Sequence, residues 1–316
     1  MADAAAEIIW NRATVADWRR LIGSAAGATL PQSWAYARAM FKAERQVAHF
    51  GVIRSAAEDV GCVLVLERRA LGLFGRVSIH RGPLWLRPVS ENVRRATLRL
   101  LRRRWPRRPW RRVSFIPEMP AGAESQILLG EAGFHRAGDG YRSIVVDLTL
   151  SEPERRRRLR QTTRQSLVRA ERAGLEVDVD RHGKAMLPWL LQRYDIDKRL
   201  RGFRGPSLPL ALHLMTTSRK NNEGLVLIAR QGEERIAGIL AVRHGDTATY
   251  LIGWTGAEGR RLQATHLLLW RAMEILSAEG VRRLDLGGIN PEAAAGVTLF
   301  KRGFGGEEYE LIGTYT

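Results

Sequence analysis

The chain has one cysteine, Cys62, among 316 residues. No disulfide framework and no cysteine-based metal site can be built from it, and such sparing use of thiols suits a reducing cytoplasm. The seven histidines (49, 80, 135, 182, 213, 244 and 266) show neither HxH nor HxxxH spacing, so no metal is expected. A Gly-x-Ser-x-Gly elbow, a Walker loop and a dinucleotide-binding glycine run are also missing. Serine hydrolase, P-loop and nicotinamide chemistry therefore lack their usual scaffolds, and no cofactor is expected. The opening residues Met1-Ala2-Asp3-Ala4 lack the basic-then-apolar order of a signal peptide, and no apolar run approaches the ~18 residues that span a bilayer. A soluble cytoplasmic protein is the expectation.

Lysine is scarce too. Only five occur (42, 184, 198, 220 and 301), so 46 of the 51 basic residues are arginine. Against 33 acidic residues this leaves a net charge of +18. The excess suits a polyanionic partner: RNA, a nucleotide or an anionic membrane surface. A GC-rich genome produces the same arginine bias, and the charge does not choose between these origins. Residues 1–147 carry net +11 and the remainder +7, so neither half is a dedicated basic arm. The scarcity makes each lysine more informative.

What is present is a core-forming composition: 45% apolar residues and nine tryptophans, in a length that accommodates two domains. Periodicity predicts helices over 7–21, 32–42, 90–104, 124–133, 186–200, 208–218 and 265–280. Strands are predicted at 47–53, 60–67, 76–80, 112–116, 142–148, 224–230, 235–244, 247–252 and 281–286. The order repeats. Ile116 to Gly133 and Leu286 to Gly303 both span 17 residues, and each interval closes on a Gly-Phe pair. Two similar α/β domains, 1–150 and 151–316, are read from this. Between them Ser151-Glu152-Pro153-Glu154 fits a capping box that opens an arginine-rich helix, 151–174, closed by Gly174. Its thin apolar stripe (Leu159, Thr163, Leu167, Ala170) leaves most arginines facing water, either simply solvated or facing the phosphates of an RNA end.

Three C-terminal features stand out. A strand ends at Asp285-Leu286-Gly287-Gly288, where glycine lets the backbone turn sharply or approach a ligand. An apolar stretch then ends in Phe300-Lys301. The segment Arg260-Arg261-Leu262-Gln263-Ala264-Thr265 lies where an acyl-CoA N-acyltransferase (GNAT) domain would present a glycine-rich pyrophosphate loop. Gln263 and Thr265 stand in its small-residue positions, where side chains crowd the amides that should hold phosphate. A different acyl donor is expected.

Taken together, several segments resemble the FemABX aminoacyltransferases, over nearly the whole chain and most sharply after residue 223. They are Gln32-Ser33-Trp34-Ala35-Tyr36-Ala37-Arg38, Arg81-Gly82-Pro83, Arg169-Ala170-Glu171-Arg172-Ala173-Gly174, Asp285-Leu286-Gly287-Gly288-Ile289, Phe300-Lys301 and Tyr309-Glu310-Leu311-Ile312-Gly313. The resemblance implies two tandem GNAT-like domains, each a mixed twisted sheet flanked by helices, without a coiled-coil arm. The first would be the acceptor side and the second the donor side. It also implies aminoacyl-tRNA as donor and a nucleotide- or lipid-linked peptidoglycan peptide as acceptor. Lys301 would stabilise charge at the aminoacyl ester, with Phe300 shaping the tunnel beside it. Arg38 and Arg204 would bind acceptor phosphate, Arg38 standing where the family has lysine. Trp34, Tyr36, Arg81, Asp285, Gly287 and Gly288 complete the candidate set. Trp34 and Tyr36 also suit plain packing, and Asp285 a turn-capping role. The family's neighbouring tyrosines have no clear counterpart, with Leu208 and Gly253 or Trp254 in those regions. Two rival readings stay open: an N-acyltransferase fed by acyl-CoA or an acyl-carrier protein, and a non-catalytic RNA- or nucleotide-binding module.

Overall fold

The computed structural model describes residues 6–70 and 74–316. The chain forms two units, Met1–Arg142 with Tyr309–Thr316, and Ser143–Glu308.

The first unit opens with β1 (Ala6–Trp10) and α1 (Val15–Ser24), where the sequence predicted one helix over 7–21. The correction has a local cause. The Thr14 hydroxyl accepts from the Asp17 amide, and the Asp17 carboxylate accepts from the Thr14 amide, so the helix begins only after Thr14. Upstream, Ile8 and Ile9 are drawn into an antiparallel ladder with Ile53 and Val52. Then come α2 (Trp34–Glu44), β2 (Val47–Ser55), β3 (Glu58–Ala70), β4 (Phe74–Gly82), β5 (Leu84–Trp85), α3 (Glu91–Arg104), β6 (Arg111–Pro117), α4 (Ala123–Glu131) and β7 (Arg136–Gly138). The sheet runs β1-β2-β3-β4-β6, then the chain's last strand, Thr314–Tyr315, then β7, with β5 pairing β3. It is mixed, because β4 and β6 are parallel while β2, β3 and β4 are joined antiparallel. Val63, Val65, Val77, Ile79, Val113 and Phe115 alternate onto one face, where they bury Leu98 and Leu101 of α3 and Leu128 and Leu129 of α4. The arginines of α3 fall outside its buried stripe of Val93, Thr97, Leu98 and Leu101.

The second unit contains β8 (Arg142–Asp147), α5 (Glu152–Arg158), α6 (Gln161–Arg172), β9 (Glu176–Asp180), α7 (Leu187–Arg201), α8 (Leu208–Ser218), β10 (Gly224–Gln231), β11 (Glu234–His244), β12 (Thr247–Thr255), α9 (Ala257–Arg261), α10 (Ala264–Ala278), β13 (Arg283–Asp285), α11 (Ala295–Arg302) and β14 (Glu307–Glu310). Strand order is β14-β8-β13-β12-β11-β10-β9, with β12 and β13 parallel. In β10, Leu225 through Ala229 are all fully buried, the pattern of a strand covered on both faces. Leu267, Leu268, Trp270 and Met273 of α10 supply much of that cover.

The arginine-rich segment is two helices rather than the single helix expected over 151–174. The capping box at Ser151 and Glu154 is present, but the chain leaves the helix at Leu159 and restarts after Arg160. Leu159 turns inward to 3% exposure, joining the core. The break is satisfied locally. Arg164 Nη2 donates to the Arg157 and Leu159 carbonyls, and the Arg160 amide donates to Gly303 O at 2.9 Å. Burying Leu159 outweighs helical continuity there because every broken carbonyl named finds a donor. No described helix exceeds 15 residues.

Candidate active site

The second sheet opens at its centre. β12 and β13 pair only at Thr247–Arg283, Ala248–Leu284 and Thr249–Asp285. Beyond Asp285 the chain turns away, while β12 continues to Thr255 along β11. At the parting β12 bulges. Ala241 faces Tyr250 and Leu240 faces Ile252, so Leu251 has no partner in the register.

Asp285 fixes the turn. Its Oδ1 accepts from the Ser143 hydroxyl at 2.5 Å and from the Gly287 amide at 2.8 Å, and the residue is buried. Gly287 has φ 76°, and a Cβ there would stand 3.0 Å from Tyr250 O, so glycine is required for both conformation and space. The turn aims the Gly287 and Gly288 carbonyls at Lys301. Lys301 Nζ, from the last turn of α11, donates to Gly287 O at 3.1 Å and Gly288 O at 2.7 Å. Burial lowers its pKa from 10.5 to about 8, partly opposed by the Asp285 charge. The ammonium also lies 6.0 Å from the centre of the Tyr250 ring.

Phe300, half-buried, packs on the core and meets His266 edge-on at 4.9 Å and Phe304 at 5.3 Å. Burial brings His266 down to about 4, so it is neutral at physiological pH. Gln263 precedes α10 in a left-handed conformation, φ 58°, and its Nε2 donates to Arg260 O. Arg204 is exposed in the connection between α7 and α8. That connection is tied back to α7 by Tyr194 Oη and Lys198 Nζ, both donating to Pro206 O.

The remaining predicted residues lie in the first unit. Arg38 is exposed on α2, its guanidinium 5.6 Å from the Phe41 ring centre. Trp34 stacks on Phe50 at 4.8 Å, and burial pushes the Tyr36 phenol up to about 12. Arg81 pairs with both carboxylate oxygens of Glu118, and its guanidinium lies over the rings of Tyr141 and Tyr309 at 4.7 and 5.4 Å. Two of the resembling segments are locked together here. Gln32 accepts from the Leu64 amide at 2.6 Å and donates to His80 O at 2.7 Å. It fills the space that a Cβ on Gly82 would occupy.

The structure therefore brings Lys301, Asp285, Gly287, Gly288 and Phe300 into one locality, and separately groups Trp34, Tyr36, Arg38 and Arg81 within the other unit. Sequence reasoning missed Tyr250, His266 and Ser143. Tyr250 lies three residues before Gly253, where a tyrosine was sought. Its hydroxyl sits 1.8 Å from where a Gly253 Cβ would be, so the glycine was the available clue. Among the described residues no group of three or more His, Cys, Asp or Glu is placed to hold a metal ion. None of the described helices is long and apolar enough to cross a membrane.

The solved structure of FemX superposes with a TM-score of 0.80 at 14% identity, over 98% of this chain and 96% of that one. The chain has a FemABX-type fold. Two tandem GNAT-like domains, each a mixed sheet flanked by helices, make up that FemABX-type architecture. Residues 157–309 match the acetyltransferase (GNAT) domain family. The tandem GNAT protein from the clavulanic acid biosynthesis pathway aligns with TM-score 0.53 at 14% identity, over 98% of this chain and 97% of that one. The C-terminal domain of a putative lysylphosphatidylglycerol synthetase from Agrobacterium fabrum aligns with 0.58 at 15%, over 95% and 90%. No curated protein sequence matches the chain. In this FemABX-type fold the parting of β12 and β13 and Lys301 both lie within the GNAT-matched segment.

Proposed function

We propose that the protein is an aminoacyl-tRNA-dependent aminoacyltransferase, acting in the cytoplasm to form an amide on an amine of a nucleotide- or lipid-linked peptidoglycan peptide. The observation that carries this reading is the buried Lys301 ammonium at the parting of β12 and β13, held by two backbone carbonyls. An acceptor amine attacks the aminoacyl ester carbonyl, the C–N bond forms, and the ribose oxygen leaves with a proton derived from the amine. Lys301 stabilises the oxyanion that develops during this attack. A cation already fixed by backbone needs little reorganisation to do so, and an activated ester needs chiefly positioning. Phe300 bounds the donor's aminoacyl end. Asp285 holds the Gly287–Gly288 turn and thereby the lysine. Arg38 and Arg204 bind acceptor phosphates.

The test combines charged tRNA with a UDP-linked or lipid-linked peptidoglycan precursor and follows the new amide by mass spectrometry. Wild type forms it, and Lys301→Ala forms it about 100- to 1,000-fold more slowly. Equal turnover in the two proteins removes Lys301 from the mechanism, and no product with any charged tRNA defeats the reading.

A second reading, transfer from acyl-CoA or an acyl-carrier thioester, is favoured by the GNAT match over residues 157–309. Against CoA stands Gln263, a side chain in a left-handed conformation at the start of α10 where phosphate would need open amides. Thermal stabilisation by acetyl-CoA, and not by charged tRNA, selects this alternative.

A further inference from the structure

One end of the first unit's sheet carries a row of like charges. The register sets Arg68 of β3 opposite Arg76 of β4, and Arg76 opposite Arg112 of β6. Residues paired this way share a face, so the three side chains stand abreast over two interstrand spacings, about 10 Å. Like charges facing across strands destabilise a sheet, and the fold gains nothing from this row. All three are exposed, and none has an acidic partner among the described residues. Other arginines of the unit are paired, Arg54 with Asp59, Arg87 with Glu58, and Arg95 with Glu91 and Glu131, whereas Arg94, Arg99 and Arg103 of α3, like the row, have no acidic partner among the described residues.

The same end carries an exposed indole. Trp110 is 52% exposed, and its carbonyl accepts from the Gly75 amide at 2.8 Å, which fixes it beside Arg76. Arg111 pairs with Gly75 and so projects from the opposite face to the row. Cations thus flank the sheet's end, three on one face and Arg111 on the other, with Trp110 beside them. Single-stranded nucleic acid is tracked by a charged groove with successive stacking rings. A row of guanidiniums at a sheet end beside an exposed amphipathic indole instead matches a plane of phosphates with an apolar layer beneath.

We infer that this end of the first unit docks on a membrane surface rich in anionic phospholipid, with Arg68, Arg76 and Arg112 on lipid phosphates and Trp110 at the headgroup level. The guanidinium forks suit phosphodiester oxygens. Docking does not depend on the transfer reaction proposed above, and it is measured without turnover.

The test is co-sedimentation of the full chain with vesicles of phosphatidylcholine alone and of an equimolar mixture with phosphatidylglycerol. Wild type partitions onto the mixture and far less onto the neutral vesicles, and added salt weakens binding. Replacing all three arginines by glutamine (R68Q, R76Q and R112Q) lowers the partition coefficient on the order of 100-fold, from roughly fivefold per arginine near an anionic surface. Trp110→Ala weakens it further. Thermal unfolding of the triple variant is unchanged or improved, because the row's repulsion is gone. Absence of wild-type binding, equal binding to both vesicles, or full binding by the triple variant overturns the inference. So does a triple variant that loses tRNA affinity in filter binding while keeping its vesicle binding, which assigns the row to RNA.

Discussion

Lys301 Nζ lies 2.7 Å from Gly288 O, in a site where the lysine is only 7% exposed. The buried charge costs stability. With the folded pKa brought from 10.5 to about 8, the unfolded chain holds a proton between those values that the folded chain has released. Stability from this group therefore rises with pH across that window, and below about 8 the full penalty is present, on the order of 3 kcal/mol. Lys301→Met removes the charge at similar volume. Its stability is expected to equal or exceed wild type at neutral pH, and its unfolding free energy should lack the lysine's rise between pH 8 and 10.5. Urea titrations of both proteins across that range measure the difference.

Catalysis should move the opposite way. If the ammonium stabilises the oxyanion, Lys301→Ala loses about 100- to 1,000-fold in kcat, the usual cost of one such donor. The working form is protonated, so wild-type activity should fall as pH rises through about 8. Lys301→Arg keeps its charge to higher pH, and its residual activity should stay level there. A Lys301→Arg profile that falls through about 8 just as wild type does would take the lysine out of that alkaline limit.

Asp285 couples the turn to the lysine. It accepts from Ser143 and Gly287, and its negative charge raises the Lys301 pKa against the lowering by burial. Ser143→Ala removes one donor from a buried carboxylate and is expected to cost about 1–3 kcal/mol in chemical denaturation. Asp285→Asn removes the charge that supports the ammonium. The alkaline limit of activity should then shift to lower pH, a change that mere loosening of the turn would not produce.

How much of this was legible beforehand depended on range. Strands β10 and β11 and helix α8 were readable because their apolar residues are continuous or periodic within one segment. The Lys301 neighbourhood was legible as one rare lysine after a double glycine and as segments resembling a family, not as a set of contacts. Its partner Ser143 is 142 residues from Asp285, and no local pattern announces such a pairing. β1 was read as helix because Ile8 and Ile9 suit either state, and a ladder with β2 decides it. The arginine-rich segment was read as continuous because Leu159 fits a helical stripe. Only the core it enters and the Gly303 carbonyl that takes the Arg160 amide explain the break.

Tyr250 and Gly253 give a test of the site's packing that is independent of any substrate. The tyrosine hydroxyl occupies the place a Gly253 Cβ would take, at 1.8 Å, so Gly253→Ala forces one of them to move. Overpacking of this kind costs about 1–3 kcal/mol. Tyr250→Phe removes the nearest atom and leaves ring Cζ at 2.8 Å, so in that background the alanine should cost less. The coupling energy from the four proteins, measured by urea unfolding, should therefore be favourable and of the order of 1 kcal/mol or more. Additive losses would mean that the hydroxyl leaves the pocket freely.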